Sequence, residues 1–208
     1  MSFQVWVAFM LACWVISISP GAGAIASMSS GLNYGFRRGY WNALGLQLAL
    51  LLQIGIVAAG VGVLFATTPW AFLVVKWFGV GYLLYLAYLQ WKAPVQSIEI
   101  QQEQQATKSI PKLIAYGFLV NMSNPKAVVF LLAVLPQFLD LSKPQWHQYT
   151  IMAITMISID LVVMAGYTGL AAKVLRMLKS AKQQKIMNRT FAVLFACAAS
   201  LLSFVQQA

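Results

Sequence analysis

The length, composition and charge of this chain exclude a soluble protein. Its 208 residues are 61% hydrophobic and only 9% charged, far more apolar than a soluble globular domain, and its polar stretches are too short to fold separately. The net charge of +10 would suit a nucleic-acid partner in a soluble protein, but the basic residues are spread over short loops, so no nucleic-acid binding is expected.

Six apolar segments are long enough to cross a bilayer, which requires roughly 20 residues. They cover about residues 3–27, 41–66, 70–91, 113–139, 147–172 and 188–206. Because these segments account for most of the chain, we expect an all-α integral membrane protein with six transmembrane helices. The whole chain, residues 1–208, is then one polytopic domain in the lipid bilayer.

The first span is interrupted at Pro20, which is followed by Gly21 and Gly23. Proline removes a backbone donor, and broken backbone at membrane depth is tolerated only where it is buried in protein or lines a wet cavity. The exposed carbonyls of one half-helix attract an ammonium group, and the free N–H groups of the other attract a carboxylate. Pro20, Gly21 and Gly23 are therefore predicted to bind a ligand that carries both groups, such as an α-amino acid.

Small residues in the second span recur at four-residue spacing, as in Gly45 with Ala49, which indicates close helix packing. Gln47 adds a neutral polar group to the same span and is a candidate ligand contact, although such groups also serve as links between helices. In the third span, Lys76 lies near the outer end, where its ammonium group can extend to the interface or take part in function.

The fourth span contains the second break, at Pro125. Its neighbours Asn121, Asn124 and Lys126 are predicted to belong, with Pro125, to the same binding site as the first break. Lys126 lies deep in the span, so its ammonium group is expected to be buried as the counter-charge of Asp160 or of a ligand carboxylate. The alternative is that its side chain extends to the membrane surface.

The fifth span carries Asp160, a carboxylate in the middle of an apolar segment. Such a residue costs ~2.5–3.5 kcal/mol on insertion scales, which makes it a candidate functional group. We predict that Asp160 couples transport to protons or binds an ammonium group. The alternative is an aspartate that only hydrogen-bonds a neighbouring broken helix. Tyr167 lies two turns further along the same helical face and is assigned to the ligand site.

The basic residues sort by loop, which predicts the orientation of the chain. Most of the 14 follow the first, third and fifth spans: Arg37, Arg38, Lys92, Lys108, Lys112, Lys173, Arg176, Lys179, Lys182, Lys185 and Arg189. Because positive loops face the cytoplasm, both termini are predicted to lie outside. The breaks are 105 residues apart, each in the first of three spans. This predicts inverted repeats over residues 1–92 and 113–208, joined by a cytoplasmic linker, 93–112.

Other classes of protein lack the residues that they need. The chain has one histidine, His147, and two separated cysteines, Cys13 and Cys197. These form no recognisable metal-ligand set, and His147 has no recognisable serine partner for acyl transfer. An aspartyl intramembrane protease would need a second carboxylate in the membrane. We therefore expect no metal, no cofactor and no enzymatic activity.

Several motifs resemble the lysine exporter superfamily and, within it, the homoserine, homoserine lactone and threonine efflux branch. They are Ser19-Pro20-Gly21, the segment 75–83 of the third span, Asn121-x-x-Asn124-Pro125-Lys126, and Asp160 followed by Gly166-Tyr167. The resemblance covers the whole chain. One departure is Ala22, which stands where much of the superfamily has a second proline.

The resemblance implies export of small amino acids or their derivatives from a bacterial cytoplasm, driven by inward proton movement. It also implies a multi-pass protein of the bacterial inner membrane that often forms a homodimer. A site with one charge of each sign favours a small zwitterionic substrate. The alternatives are export of basic amino acids or of another small metabolite, and a structural or assembly protein that transports nothing.

Overall fold

The fold is helical throughout the residues that the computed structural model describes, which are 1–67, 70–94, 108–140, 142–171, 173 and 180–203. This part of the chain contains eight α-helices, one short 3₁₀ helix and no strand. The prediction of an all-helical protein is confirmed to this extent. Most of the predicted linker, the basic residues Arg176 and Lys179, and the end of the sixth predicted span lie outside the described residues.

The helices follow the predicted order of apolar segments. They are α1 Phe3–Ile18, α2 Ala22–Gly39, α3 Trp41–Thr67, α4 Ala71–Lys92, α5 Ile110–Met122, α6 Pro125–Val134, the 3₁₀ helix Leu135–Phe138, α7 Gln145–Gly169 and α8 Ala181–Ser203. The first and fourth predicted spans thus each consist of two helices.

Two described helices are long and apolar enough to cross a membrane unaided, Trp41–Gly60 of α3 and Gln145–Gly169 of α7. The pairs α1 with α2 and α5 with α6 also qualify if each bent pair is counted as one span, which gives up to four spans among the described residues. The helices α4 and α8 occupy the third and sixth predicted spans. Six transmembrane helices arranged as repeats remain a prediction.

Both breaks occur at the predicted prolines and bend the chain by similar angles. The bend between α1 and α2 is 55°, and that between α5 and α6 is 56°. At the first, Ser19 and Gly21 are extended and Gly21 precedes α2 without any side-chain cap. At the second, Pro125 opens α6 and the Asn124 side chain accepts a hydrogen bond from the Lys126 amide. Proline at the first helical position costs no intrahelical bond.

Helices from the two halves of the chain pack on each other. In the described structure α3 lies along α5, α7 lies along α1 and α2, and α4 lies along α8 and against α6. The buried core between them is apolar and includes Phe9, Phe130, Leu131, Met152 and Phe195. Because helices of one half pack on helices of the other, the two breaks lie close together inside the helical bundle.

Two glycines allow α3 and α5 to approach at backbone distance. A Cβ atom on Gly45 would overlap the Ile114 carbonyl, and one on Gly117 would overlap the Asn42 carbonyl. The predicted packing role of Gly45 is therefore confirmed. Gly55, which has Ala59 at the same four-residue spacing further along α3, has no described atom within 4 Å of its Cβ position and takes no part in this contact.

We expect Gly45→Ala to destabilise the protein by about 1–3 kcal/mol or more, because the backbone of α5 must move. Gly55→Ala is the matched control on the same helix, and it should be neutral or stabilising by ~0.5–1 kcal/mol because alanine favours helix. Thermal unfolding of the detergent-purified variants measures both. Equal melting temperatures for Gly45→Ala and Gly55→Ala would contradict the close contact between α3 and α5.

Candidate functional site

A cavity of about 70 Å³ lies between the two breaks. This is several times the ~10–15 Å³ that one water molecule requires. Six of the predicted site residues line it: Gly21, Gly23, Asn121, Asn124, Lys126 and Asp160. The structure thus brings together residues from α2, the second break, α6 and α7 that are far apart in the sequence.

Asp160 of α7 is linked to two other helices. The Gln47 side chain of α3 donates a hydrogen bond from Nε2 to Asp160 Oδ2 at 2.6 Å, and Ser17 of α1 lies beside this carboxyl group in the cavity lining. Gln47 is 4% exposed, and its Oε1 has no partner in the described structure. The carboxyl group is therefore held in a fixed position at the cavity wall, and Gln47 acts from behind it.

The Lys126 ammonium group lies on the end of the first broken helix. Nζ donates to the Ile16 carbonyl at 3.0 Å and to the Ser19 carbonyl at 2.6 Å. These hydrogen bonds hold the side chain inside the protein, so it does not extend to the membrane surface. Asp160 lines the same cavity but is not among its hydrogen-bond partners. Among the residues that the structure describes, the third N–H of the Lys126 ammonium group has no partner, so it can bond a ligand.

The two half-helices that start at the breaks direct their N-terminal ends to the cavity. Gly21, Gly23 and Ala24 line it at the start of α2, where the first-turn N–H groups have no side-chain cap. Asn124 and Lys126 line it at the start of α6. Free N–H groups at a helix N-terminus favour a bound anion.

Asn121 connects the second break to α3. Its Nδ2 donates to the Leu46 carbonyl at 2.9 Å, and its own carbonyl accepts from Gln53 Nε2 at 3.0 Å. The side chain therefore serves as a link between helices while also lining the cavity. Asn121 is thus both a link between helices and a candidate ligand contact.

Three predicted site residues support the breaks and are not part of the cavity wall in the described structure. Tyr167 donates its hydroxyl to the Ile18 carbonyl at 2.6 Å, at the end of α1. Pro20 and Pro125 shape the breaks that the cavity lies between. Lys76 is 8% exposed in α4, with its ammonium group 5.7 Å from the centre of the Trp77 ring, and does not reach the cavity.

Part of the cavity lining forms an apolar wall. It consists of Ile16, Leu46, Leu50, Phe130, Met156 and Met164. Sequence reasoning missed these residues because lipid-facing and cavity-facing positions are equally apolar in a membrane helix. It also missed Ser17 and Ser19, although both lie within one turn of the first break and could have been found from that spacing.

Asp140 contrasts with Asp160 because it lies between the 3₁₀ helix and α7, outside the apolar segments. Its carboxylate bonds the Lys143 ammonium group at 2.9 Å and accepts hydrogen bonds from Ser142. These contacts lower the pKa of Asp140 to about 2. Asp140 therefore stays ionised at physiological pH and cannot exchange a proton there.

Comparisons with known proteins give matches over nearly the whole chain. A family model described as LysE type translocator matches residues 14–204. The homoserine/homoserine lactone efflux protein of Salmonella typhimurium is 38% identical over 208 residues, which cover all of both chains. A leucine efflux protein of Enterobacter sp. is 26% identical over 198 residues, covering 94% of this chain and 93% of the relative. No solved structure gives a significant match.

Proposed function

The chain belongs to the LysE type translocator family, and from this premise we propose that it exports small zwitterionic amino acids or their derivatives from the bacterial cytoplasm. Relatives named for homoserine, homoserine lactone and leucine efflux support an amino-acid substrate. The observation that carries the proposal is the cavity, which presents one carboxyl group and one ammonium group between two broken helices. A structural or assembly protein would need neither.

The proposed orientation of the substrate follows from the charges around the cavity. Its ammonium group bonds Asp160, because the Ile16 and Ser19 carbonyls already accept from Lys126. Its carboxylate lies at the uncapped N-terminus of α2, near Gly21 and Gly23, and accepts the third N–H of Lys126. Gln47 and Tyr167 contribute by holding Asp160 and the end of α1 in place.

The apolar wall favours a substrate with an uncharged side chain. A basic amino acid would bring a second ammonium group into a cavity whose lining is largely apolar, and the lost hydration costs at least ~1–3 kcal/mol. Hydroxyl-bearing side chains can use Ser17 and Ser19, which also line the cavity. Homoserine, threonine and small aliphatic amino acids fit better than lysine or arginine.

We also propose that the six predicted spans form two inverted repeats, residues 1–92 and 113–208, with both termini outside in the inner membrane. Similar bends of 55° and 56° at the breaks support this arrangement. Gly21 and Lys126 are 105 residues apart and line the same cavity, as expected if a pseudo-twofold axis passes between equivalent residues. Rocking of the halves about this centre would give alternating access.

Proton antiport through Asp160 completes the proposal. A carboxyl group that binds either a proton or a substrate ammonium, but not both, exchanges one for the other across the membrane. The absence of an enzymatic activity and the formation of a homodimer remain predictions. The family and the relatives are transport proteins by name, which agrees with the first of them.

The test is efflux from proteoliposomes loaded with labelled homoserine, threonine, leucine or lysine, with an inward proton gradient. We expect the neutral substrates to leave at least about tenfold faster than lysine, since 1.4 kcal/mol is a factor of ten, and a protonophore to remove the acceleration that the proton gradient gives. Lysine leaving faster than every neutral substrate would contradict the substrate class. If none of the four substrates leaves the liposomes, amino-acid export is contradicted.

A further inference from the structure

The end of α1 is a cation site made of main-chain carbonyl oxygens. Carbonyls freed at the C-terminal end of a half-helix are the groups that bind a coupling cation in transporters with broken helices. Here two of them, from Ile16 and Ser19, accept hydrogen bonds from Lys126 Nζ at 3.0 and 2.6 Å. We propose that the Lys126 ammonium group is a tethered cation that permanently occupies this carbonyl site and replaces a free one.

The position of Lys126 makes sense only in relation to α1. It is the second residue of α6, where the helix dipole disfavours a positive charge. The C-terminal end of α1 carries the opposite partial charge, and Asp160 adds a carboxyl group to the same cavity. The C-terminal end of α1 therefore stabilises the Lys126 ammonium group, and the N-terminal end of α6, to which the residue belongs, does not.

The first break leaves room for the Lys126 side chain. Gly21 lies against it, since a Cβ atom on Gly21 would be 3.5 Å from Lys126 Cδ and 3.7 Å from Nζ. Larger side chains at position 21 would therefore meet the lysine stem. The Lys126 side chain therefore extends from the second break past Gly21 and ends on the Ile16 and Ser19 carbonyls of the first break.

The second break shows the contrast. Asn121 stands 105 residues after Ile16, so the two carbonyls are equivalent in the proposed repeat. The Asn121 carbonyl accepts from the neutral amide of Gln53 at 3.0 Å. The two equivalent helix ends therefore have different partners, which are the Lys126 ammonium group at α1 and the neutral Gln53 amide at α5.

This inference holds whatever solute is exported. A permanently bound cation makes transport by the natural protein independent of sodium or potassium ions. Removal of the tether in Lys126→Ala leaves two buried carbonyls without a donor, which costs about 1–3 kcal/mol each at most. Such a vacated site can accept a small cation from solution, and a large one such as tetramethylammonium cannot enter it or donate a hydrogen bond.

The first experiment measures thermal unfolding of purified Lys126→Ala in methylammonium, sodium or tetramethylammonium chloride at equal ionic strength. We expect methylammonium to raise its melting temperature by about 2–4 °C more than tetramethylammonium does, with no such difference for the natural protein. Lys126→Gln is the matched control, because its amide can donate to the carbonyls without a charge and should not respond. Equal melting temperatures of Lys126→Ala in all three salts would overturn the proposal.

The second experiment measures transport, and its first part uses only the natural protein. Efflux by the natural protein should be unchanged when sodium and potassium are replaced by N-methylglucamine, and a requirement for either ion would overturn the proposal. Methylammonium should raise the efflux rate of Lys126→Ala at least about fivefold and should leave that of Asp160→Asn unchanged. If the natural protein exports no amino acid, the thermal measurement still decides about the cation site.

Discussion

Asp160→Asn is expected to reduce proton-driven export by about 100-fold or more while the protein remains folded. The substitution preserves shape, and an asparagine oxygen can still accept the hydrogen bond that Gln47 donates at 2.6 Å. What it removes is the charge that binds the substrate ammonium group and the site that exchanges a proton. A hydrogen bond to a charged group contributes about 1.5–3 kcal/mol, and ~3 kcal/mol corresponds to roughly 100-fold.

The measurement is substrate efflux from proteoliposomes with and without a proton gradient. Asp140→Asn is the control, because that carboxylate lies outside the apolar segments, with its pKa lowered to about 2 by Lys143 and Ser142. It should transport at the natural rate. Undiminished transport by Asp160→Asn, with unchanged dependence on pH, would remove the coupling role and leave Asp160 as a structural link between α1, α3 and α7.

Pro125→Ala is expected to reduce transport by about tenfold or more with little effect on stability. Alanine restores the missing amide donor and favours helix by ~3 kcal/mol over proline in a helix interior, so α5 and α6 can join and reduce the 56° bend. Lys126 and Asn124 would then shift away from the cavity. A misplacement of about 1 Å is enough to cost 100-fold in a site that depends on position.

The control for this prediction is Pro111→Ala. Pro111 also stands in the first turn of a helix, α5, but far from either break, so the same substitution should leave efflux intact. Melting temperature and efflux are measured on both variants, and Pro20→Ala provides the equivalent test of the first break. Natural efflux by both Pro20→Ala and Pro125→Ala would show that the breaks do not form the site.

How far the site could be predicted differs between residues for a physical reason. Asp160 and Lys126 were identified because a charge in an apolar segment is costly wherever it lies. Helical spacing assigns Tyr167 to the ligand site, and the structure places its hydroxyl on the Ile18 carbonyl, a contact that no spacing rule within α7 could reveal. Gln47 was found as a polar residue, but its bond to Asp160 joins residues 113 positions apart.

The sequence by itself determined the class of protein, the position of both breaks and the two charged residues of the cavity. These are local consequences of apolar length, of the missing amide in proline and of the cost of burying charge. Only the tertiary structure decided which carbonyls Lys126 binds and which of many apolar side chains face the cavity. Lipid is as apolar as the protein core, so hydropathy cannot tell a buried face from an exposed one, and contacts between the two halves depend on how the helices pack.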